Sequence, residues 1–168
     1  MLENTTASFN VAMGCNALRQ NLTGADVTAV GREALKNNTA SNNTAFGSQA
    51  LVTNTSGAHN TAVGYRAAAS STTGYDSVSV GWDSLYYNTT GYRNTAVGYQ
   101  TLYANTTGHK NTAYGNSALY ANTTGINNTA CGYYALSANT TAGSNTATGY
   151  MALDTNTTGS DNTAVGRD

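Results

Sequence analysis

The 168-residue chain predicts an all-β fold, a parallel β-solenoid (β-roll) of about nine 17-residue coils. Three observations predict it. Ten glycines, Gly14, Gly31, Gly47, Gly64, Gly81, Gly98, Gly115, Gly132, Gly149 and Gly166, recur every 17 residues with one interval of 16. A small residue stands two before each, Ala in nine copies and Ser79 in the tenth. Four residues after the glycine comes Leu18, Leu35, Leu51, Leu85, Leu102, Leu119, Leu136 or Leu153, with Ala68 the exception. Self-similarity at a short fixed period defines a stacked repeat architecture and has to be read before composition.

Composition alone points elsewhere. Thr and Asn fill 51 of the 168 positions, 15 residues are charged, and there is no Pro. Such a polar, Gly-rich bias suggests disorder, until the register turns it into defined positions. A 17-residue unit is too short for two helices and a turn, and Asn, Thr and Gly are poor helix formers. It suits two short strands and two turns, with glycine at the corners. Seven further glycines, Gly24, Gly57, Gly74, Gly91, Gly108, Gly125 and Gly159, lie ten residues after a motif glycine, and Gly143 is one step out of phase. Stacked about 4.8 Å apart, nine intervals make a rod of roughly 43 Å. Ala and Leu then repeat as inward ladders. Asn stands four before the glycine in eight of ten copies and seven after it in eight of nine, which predicts side-chain amide ladders. The lack of Pro fits coils that use nearly every backbone N–H.

One domain, 1–168, accounts for the chain, with regular copies from about 10 to 166 and an atypical coil at about 65–81. The 16-residue interval loses its residue in the Asn38-Thr39-Ala40-Ser41 corner, which marks that corner as an exposed turn. In the atypical coil, Ala68 replaces Leu, Ser71 replaces Asn, and Ser77-Val78-Ser79 replaces Asn-Thr-Ala. The core there is thinner, and Trp82 is the expected filler of the missing volume, from a neighbouring turn or a neighbouring chain. The residue before each glycine ranges from Thr148 to Tyr114 and Phe46. A buried ladder penalises such changes in volume, so this column is expected at an interface between chains or on a semi-exposed face. The sequence opens in a degenerate copy, Asn4-Thr5-Thr6, and closes on Asn162 to Asp168 without a distinct cap. A solenoid leaves unpaired edges at its ends, so the expectation is a piece of a longer fibre or ends covered by partners.

A net charge of −1 without a basic cluster argues against nucleic acid and anionic lipid as partners. No apolar run is long enough to span a membrane, and Met1-Leu2-Glu3-Asn4 does not start a signal peptide. Cys15 and Cys131 are seven coils apart, more than roughly 30 Å at the coil spacing, so no disulfide joins them; both are expected to be small buried or semi-buried residues. His59 and His109 fall in different phases, and the acids Glu3, Asp26, Glu33, Asp76, Asp83, Asp154, Asp161 and Asp168 are dispersed. No metal site, cofactor or catalytic constellation is expected. His59, Asp76, Arg93 and Lys110 share the phase five before the glycine, where an Asp76–Arg93 surface pair would contribute little.

Aromatic residues are the best binding candidates. Tyr65, Trp82, Tyr99, Tyr133 and Tyr150 directly follow a motif glycine, and Tyr86, Tyr103 and Tyr120 form a second column, with Tyr75, Tyr87 and Tyr92 nearby. Tyr65, Trp82, Tyr99, Tyr86, Tyr103 and Tyr120 are the candidate ligand-binding ladder, either for sugar faces or as self-stacking rings and interchain contacts.

The unit Asn-Thr-Ala-x-Gly-x-x-Ala-Leu, as in Asn43 to Leu51 and Asn128 to Leu136, resembles the head repeats of trimeric autotransporter adhesins. With Asn-Thr-Thr-Gly it is also similar to repeat arrays of phage tail fibres. The resemblance covers about Asn10 to Gly166, and the unit is longer than the usual adhesin head repeat. It implies a homotrimer packed around one axis and a stiff rod for host or surface attachment on a virion or cell surface; a cell-surface glycan is the ligand the aromatic rings suggest. An enzyme is not expected. The alternatives are an ice-binding solenoid, using the Thr28/Val30, Thr61/Val63, Thr95/Val97 and Thr163/Val165 pairs, and a self-assembling extracellular filament.

Overall fold

The computed structural model describes residues 6–167. Residues 1–5, which hold Glu3 and most of the degenerate first copy, lie outside it, as does Asp168. The chain winds as a parallel β-solenoid. Ten three-residue strands, from β1 (Val11–Met13) to β10 (Thr163–Val165), form one sheet in sequence order. Every pair is parallel and in register, so Ala96 sits beside Ala113 and Ala113 beside Ala130.

Each coil carries one strand, where the repeat predicted two. The second side is built from turns. Ala17 N–H donates to Gly14 O at 3.2 Å, and Asn21 N–H to Leu18 O at 3.4 Å. The reason is the backbone. Twenty-eight described residues other than glycine have φ between +48° and +61°, and all fall in three phases: two after the motif glycine, four after it, and five before the next one. Two left-handed residues, two apart, curl the chain too tightly for a strand. Bonds between coils continue through this side nonetheless, with Leu18 N–H on Ala34 O at 3.1 Å and Glu33 N–H on Cys15 O at 2.8 Å.

Alternation along the strand sends its middle residue inward and its flanks outward. Ala29, Ala45, Ala62, Ala96, Ala113, Ala130 and Ala147 are accordingly buried. Leu18, Leu35, Leu51, Leu85, Leu102, Leu119 and Leu136 face them from the turn side with no exposed surface, while Leu153 packs at the edge of this core. The residue before each glycine points outward instead: Met13, Phe46, Tyr114 and Cys131 are exposed.

Asparagine fills the rest of the interior in two columns that work differently. In the column seven after the glycine, the amides bond to one another. Asn54 Nδ2 donates to Asn38 Oδ1 at 2.7 Å, Asn105 to Asn88 at 2.7 Å, Asn122 to Asn105 at 2.9 Å and Asn139 to Asn122 at 2.9 Å. In the column four before the glycine, the amide mainly grips the backbone of the next coil. Asn94 Oδ1 accepts from Asn111 N–H at 3.0 Å, and Asn94 Nδ2 donates to Gly108 O at 2.8 Å. Threonines form a third column outside: Thr106 Oγ1 donates to Thr123 O and Thr123 Oγ1 to Thr140 O.

Two corners refine the register. The short interval loses its residue between Asn38 and Ala40, since Asn38 Nδ2 reaches Ala40 O, two residues on, where Asn54 reaches Gly57 O, three on. Thr39 in that corner is exposed. Gly143 is not a displaced corner: Asn139 and Asn128 both donate to Ala142 O, so Ala142 takes the corner and Gly143 the phase of Ile126. At nine of the ten motif glycines, all but Gly166, a Cβ would run into the backbone of the next coil. Gly115 has φ +122°, and a Cβ there would sit on Gly132 O. Gly115→Ala is therefore expected to cost about 2–3 kcal/mol of stability. At Lys110, an exposed residue with φ +58°, Asn should gain about 0.5 kcal/mol and Val should lose about 1. Denaturant midpoints of the three variants check both signs.

Candidate functional site

The turn side between a motif glycine and the following buried Asn carries its outward residues one, five and six after the glycine, with the residue two after it mostly half-buried and, at Asp83 and Ser117, buried. From Gly64 to Gly115 this face is aromatic. Tyr86, Tyr103 and Tyr120 stack coil upon coil, with ring centroids 5.5 and 5.2 Å apart and planes within 13° and 5° of parallel. Tyr87 stands edge-on against both Tyr86 and Tyr103. Tyr65 and Trp82 meet at 5.1 Å with a 59° tilt. Offset-stacked and edge-to-face pairs of this kind each contribute about 0.5–1.5 kcal/mol beyond area burial.

Arg66 ties the two columns together. Its Nε and Nη2 donate to Asp83 Oδ1 and Oδ2 at 2.8 and 2.6 Å, a fork-on-fork pair between adjacent coils. The guanidinium also lies 5.0 Å from the Tyr65 ring centre and 4.7 Å from that of Tyr86. Asp83 is 2% exposed, so its charge is held by this one partner. The Asp83 hydrogen bond drives the Arg66 pKa further up, and the arginine stays charged. Burial and a hydrogen bond with Tyr87 push the Tyr103 phenol up to about 12.

Of the six candidate ladder residues, the structure links five: Tyr65 with Trp82, Tyr86 with Tyr103 and Tyr120, and the two groups through Arg66. Tyr99 makes no ring contact among the described residues. The ring faces of Tyr103 are covered by Tyr86 and Tyr120. Trp82, 55% exposed, has a face turned away from Tyr65. It does not fill the thin core, because it follows a motif glycine and points out of the coil. The space inside is taken partly by Ser79 and Ser84, whose hydroxyls meet at 2.6 Å.

Other columns were legible only by phase. Tyr75, Tyr92 and His109 stack at 4.8 and 4.5 Å, all six residues before a motif glycine. Arg66 and Asp83 share the phase two after the glycine, a relation the sequence shows once neighbouring coils are aligned. Asp76 pairs with Arg93 at 3.5 Å and His59 at 3.3 Å, half in solvent, as expected of a weak surface cluster. Both cysteines are exposed rather than buried, since their phases, one after and one before the glycine, face outward. No group of three or more His, Cys, Asp or Glu that could hold a metal occurs among the described residues, and no helix is long and apolar enough to cross a membrane.

The fold makes the chain a rigid β-solenoid repeat protein. Comparison with protein-family models, curated proteins and solved structures gives no match.

The Tyr103 phenol has a testable consequence. The unfolded chain releases this proton near pH 10 and the folded chain near 12, so the folded state holds more protons between those values and stability falls as pH rises through that window. Melting temperatures from pH 9 to 12 should show this loss, and Tyr103→Phe should flatten it.

Proposed function

We propose that this chain is the rod of a homotrimeric fibre or adhesin, a structural and non-catalytic element that carries attachment surfaces outward from a virion or cell. The observation that supports this reading most is the outer face of the ten-stranded sheet. Two in-register columns run its length. One is mostly Thr; the other, directly before the glycines, is almost entirely apolar, with Met13, Phe46 and Val165 exposed by 64, 57 and 79%. A contiguous apolar strip roughly 43 Å long is the kind of patch that monomers rarely leave in water. Its side chains vary in size, which suits packing of like columns around an axis. On the turn face, Trp82 and Tyr99 offer open ring surface to a cell-surface glycan.

Cys131 lies in the apolar column and Cys15 on the turn face, so the chain carries its own probe and control. A short bismaleimide should join copies through Cys131 and not through Cys15, and the mass in solution should be that of a trimer. A monomer, or linkage through Cys15 alone, would sink the reading. A monomer that shapes ice and gives thermal hysteresis would assign the same Thr and Val columns to ice. For the glycan, binding of the wild-type rod to an array of neutral oligosaccharides should fall at least tenfold in Trp82→Ala and persist in Tyr103→Phe. No wild-type signal would remove the glycan from the proposal and leave the trimer standing.

A further inference from the structure

Every interior column is altered at one level of the rod. Between Gly64 and Ser84, Ala68 takes the Leu place, Ser71 and Ser77 take the two Asn places, and Ser79 and Ser84 stand where most other coils have Ala. The amide chain breaks there. Asn54 Oδ1, buried, has no hydrogen-bond partner, and Ser71 at the next level carries no amide to offer it; Asn139 Oδ1, near the C-terminal end of the rod, is the other such atom among the described residues. Gly91 O receives a side-chain donor only from Asn88, where Gly108 O receives two, from Asn94 and Asn105. Ser77 Oγ still accepts from Asn94 N–H, at 3.2 Å. Leaving a buried acceptor unpaired and removing a Leu side chain both weaken a layer.

The outside of the same level is the most heavily bridged part of the rod. The Arg66–Asp83 pair, the Tyr65–Trp82 contact and, on the next face, the Tyr75–Tyr92 stack all join the Gly64 coil to the Gly81 coil. Arg66 extends the bridge by lying over Tyr86.

We propose that the Arg66–Asp83 pair, with the rings packed on it, is an external clamp over an interior seam, and that this seam is where the rod opens locally. In a stacked repeat each coil is held only by its two neighbours, so a layer with a depleted interior opens more often than the coils on either side unless outer contacts restrain it. The clamp sets how often.

Peptide-resolved hydrogen exchange on the full chain tests this. Amides of residues 68–85 should exchange at least tenfold faster than those of the coil that begins at Gly115, although that coil lies nearer an end of the chain. Arg66→Gln and Asp83→Asn should each raise exchange at 68–85 a further tenfold and leave the Gly115 coil unchanged. Ser71→Asn, which restores a donor to Asn54 Oδ1, should slow exchange at 68–85 alone. Uniform exchange in the wild type would overturn the seam. Equal acceleration of all coils in the Arg66 and Asp83 variants would overturn the clamp. If those two variants do not fold, Ser71→Asn still decides: no local slowing means no seam.

Discussion

The structure depends on one constraint, that each polar group finds its partner at the same phase one coil away. The solenoid is too narrow for an ordinary hydrophobic core. A regular coil buries two small residues and one Leu, and burial of a Leu side chain is worth only about 1.5–3 kcal/mol. The remaining interior is carboxamide, and a buried amide is tolerable only when its donors and acceptors are met. Repetition meets them. Asn105 has Asn88 before it, Asn122 after it and Gly108 O in its own turn. The same translation that pairs the backbone of Thr95 with that of Thr112 in the sheet also pairs these side chains.

That constraint explains an otherwise expensive backbone. Left-handed φ at a residue other than glycine costs of order 1 kcal/mol or more, and each coil pays it three times. Leu has no local reason to adopt φ near +50°, yet it does so in eight coils. The gain is position. The left-handed turn swings Leu inward from a side that has no strand, while its N–H still reaches the neighbouring coil, as Leu102 N–H reaches Ala118 O at 3.0 Å. At the phase five before the glycine the residue is exposed and the same conformation selects composition: six of ten are Asn, Asp or His, the types most tolerant of it.

This is also where the sequence can and cannot be read. The stacking, register, inward Ala and Leu and the buried Asn columns follow from periodicity, because they need identical residues at identical phases. The turn side does not. A strand and a chain of tight turns can both place Ala and Leu inward, and only the backbone angles separate them. The Asn/Asp/His bias at one phase was visible as a row of charges, His59, Asp76, Arg93 and Lys110, while its conformational meaning lay in the uncharged members Asn42 and Asn127. Within the chain, Trp82 is no filler, for a related reason: missing volume at Ala68 suggests one, but the phase after a motif glycine points outward. For the ring columns, phase predicts which residues align, and ring orientation decides which surfaces remain open.

Interior and exterior therefore carry different kinds of information. Inside, a substitution disturbs the coil before and the coil after: next to Ser71, Asn54 keeps its bonds to Asn38 and Gly57 while its Oδ1 has no partner. Identity is held there, and little about partners can be encoded. Outside, residues answer only to their own surroundings and change from coil to coil. The two outward faces then vary in different ways. The column before the glycines changes size from Thr to Phe and Tyr but stays mostly apolar along the rod, a pattern that favours continuous contact with copies of itself, where size differences at one level recur in every copy. The turn face changes chemical character, from Arg32, Glu33 and Lys36 at one level to Tyr and Trp a few coils on. A surface whose chemistry is local favours local tasks. Its aromatic stretch begins at the level where the interior is weakest, and the first residues of that stretch are those that bridge it.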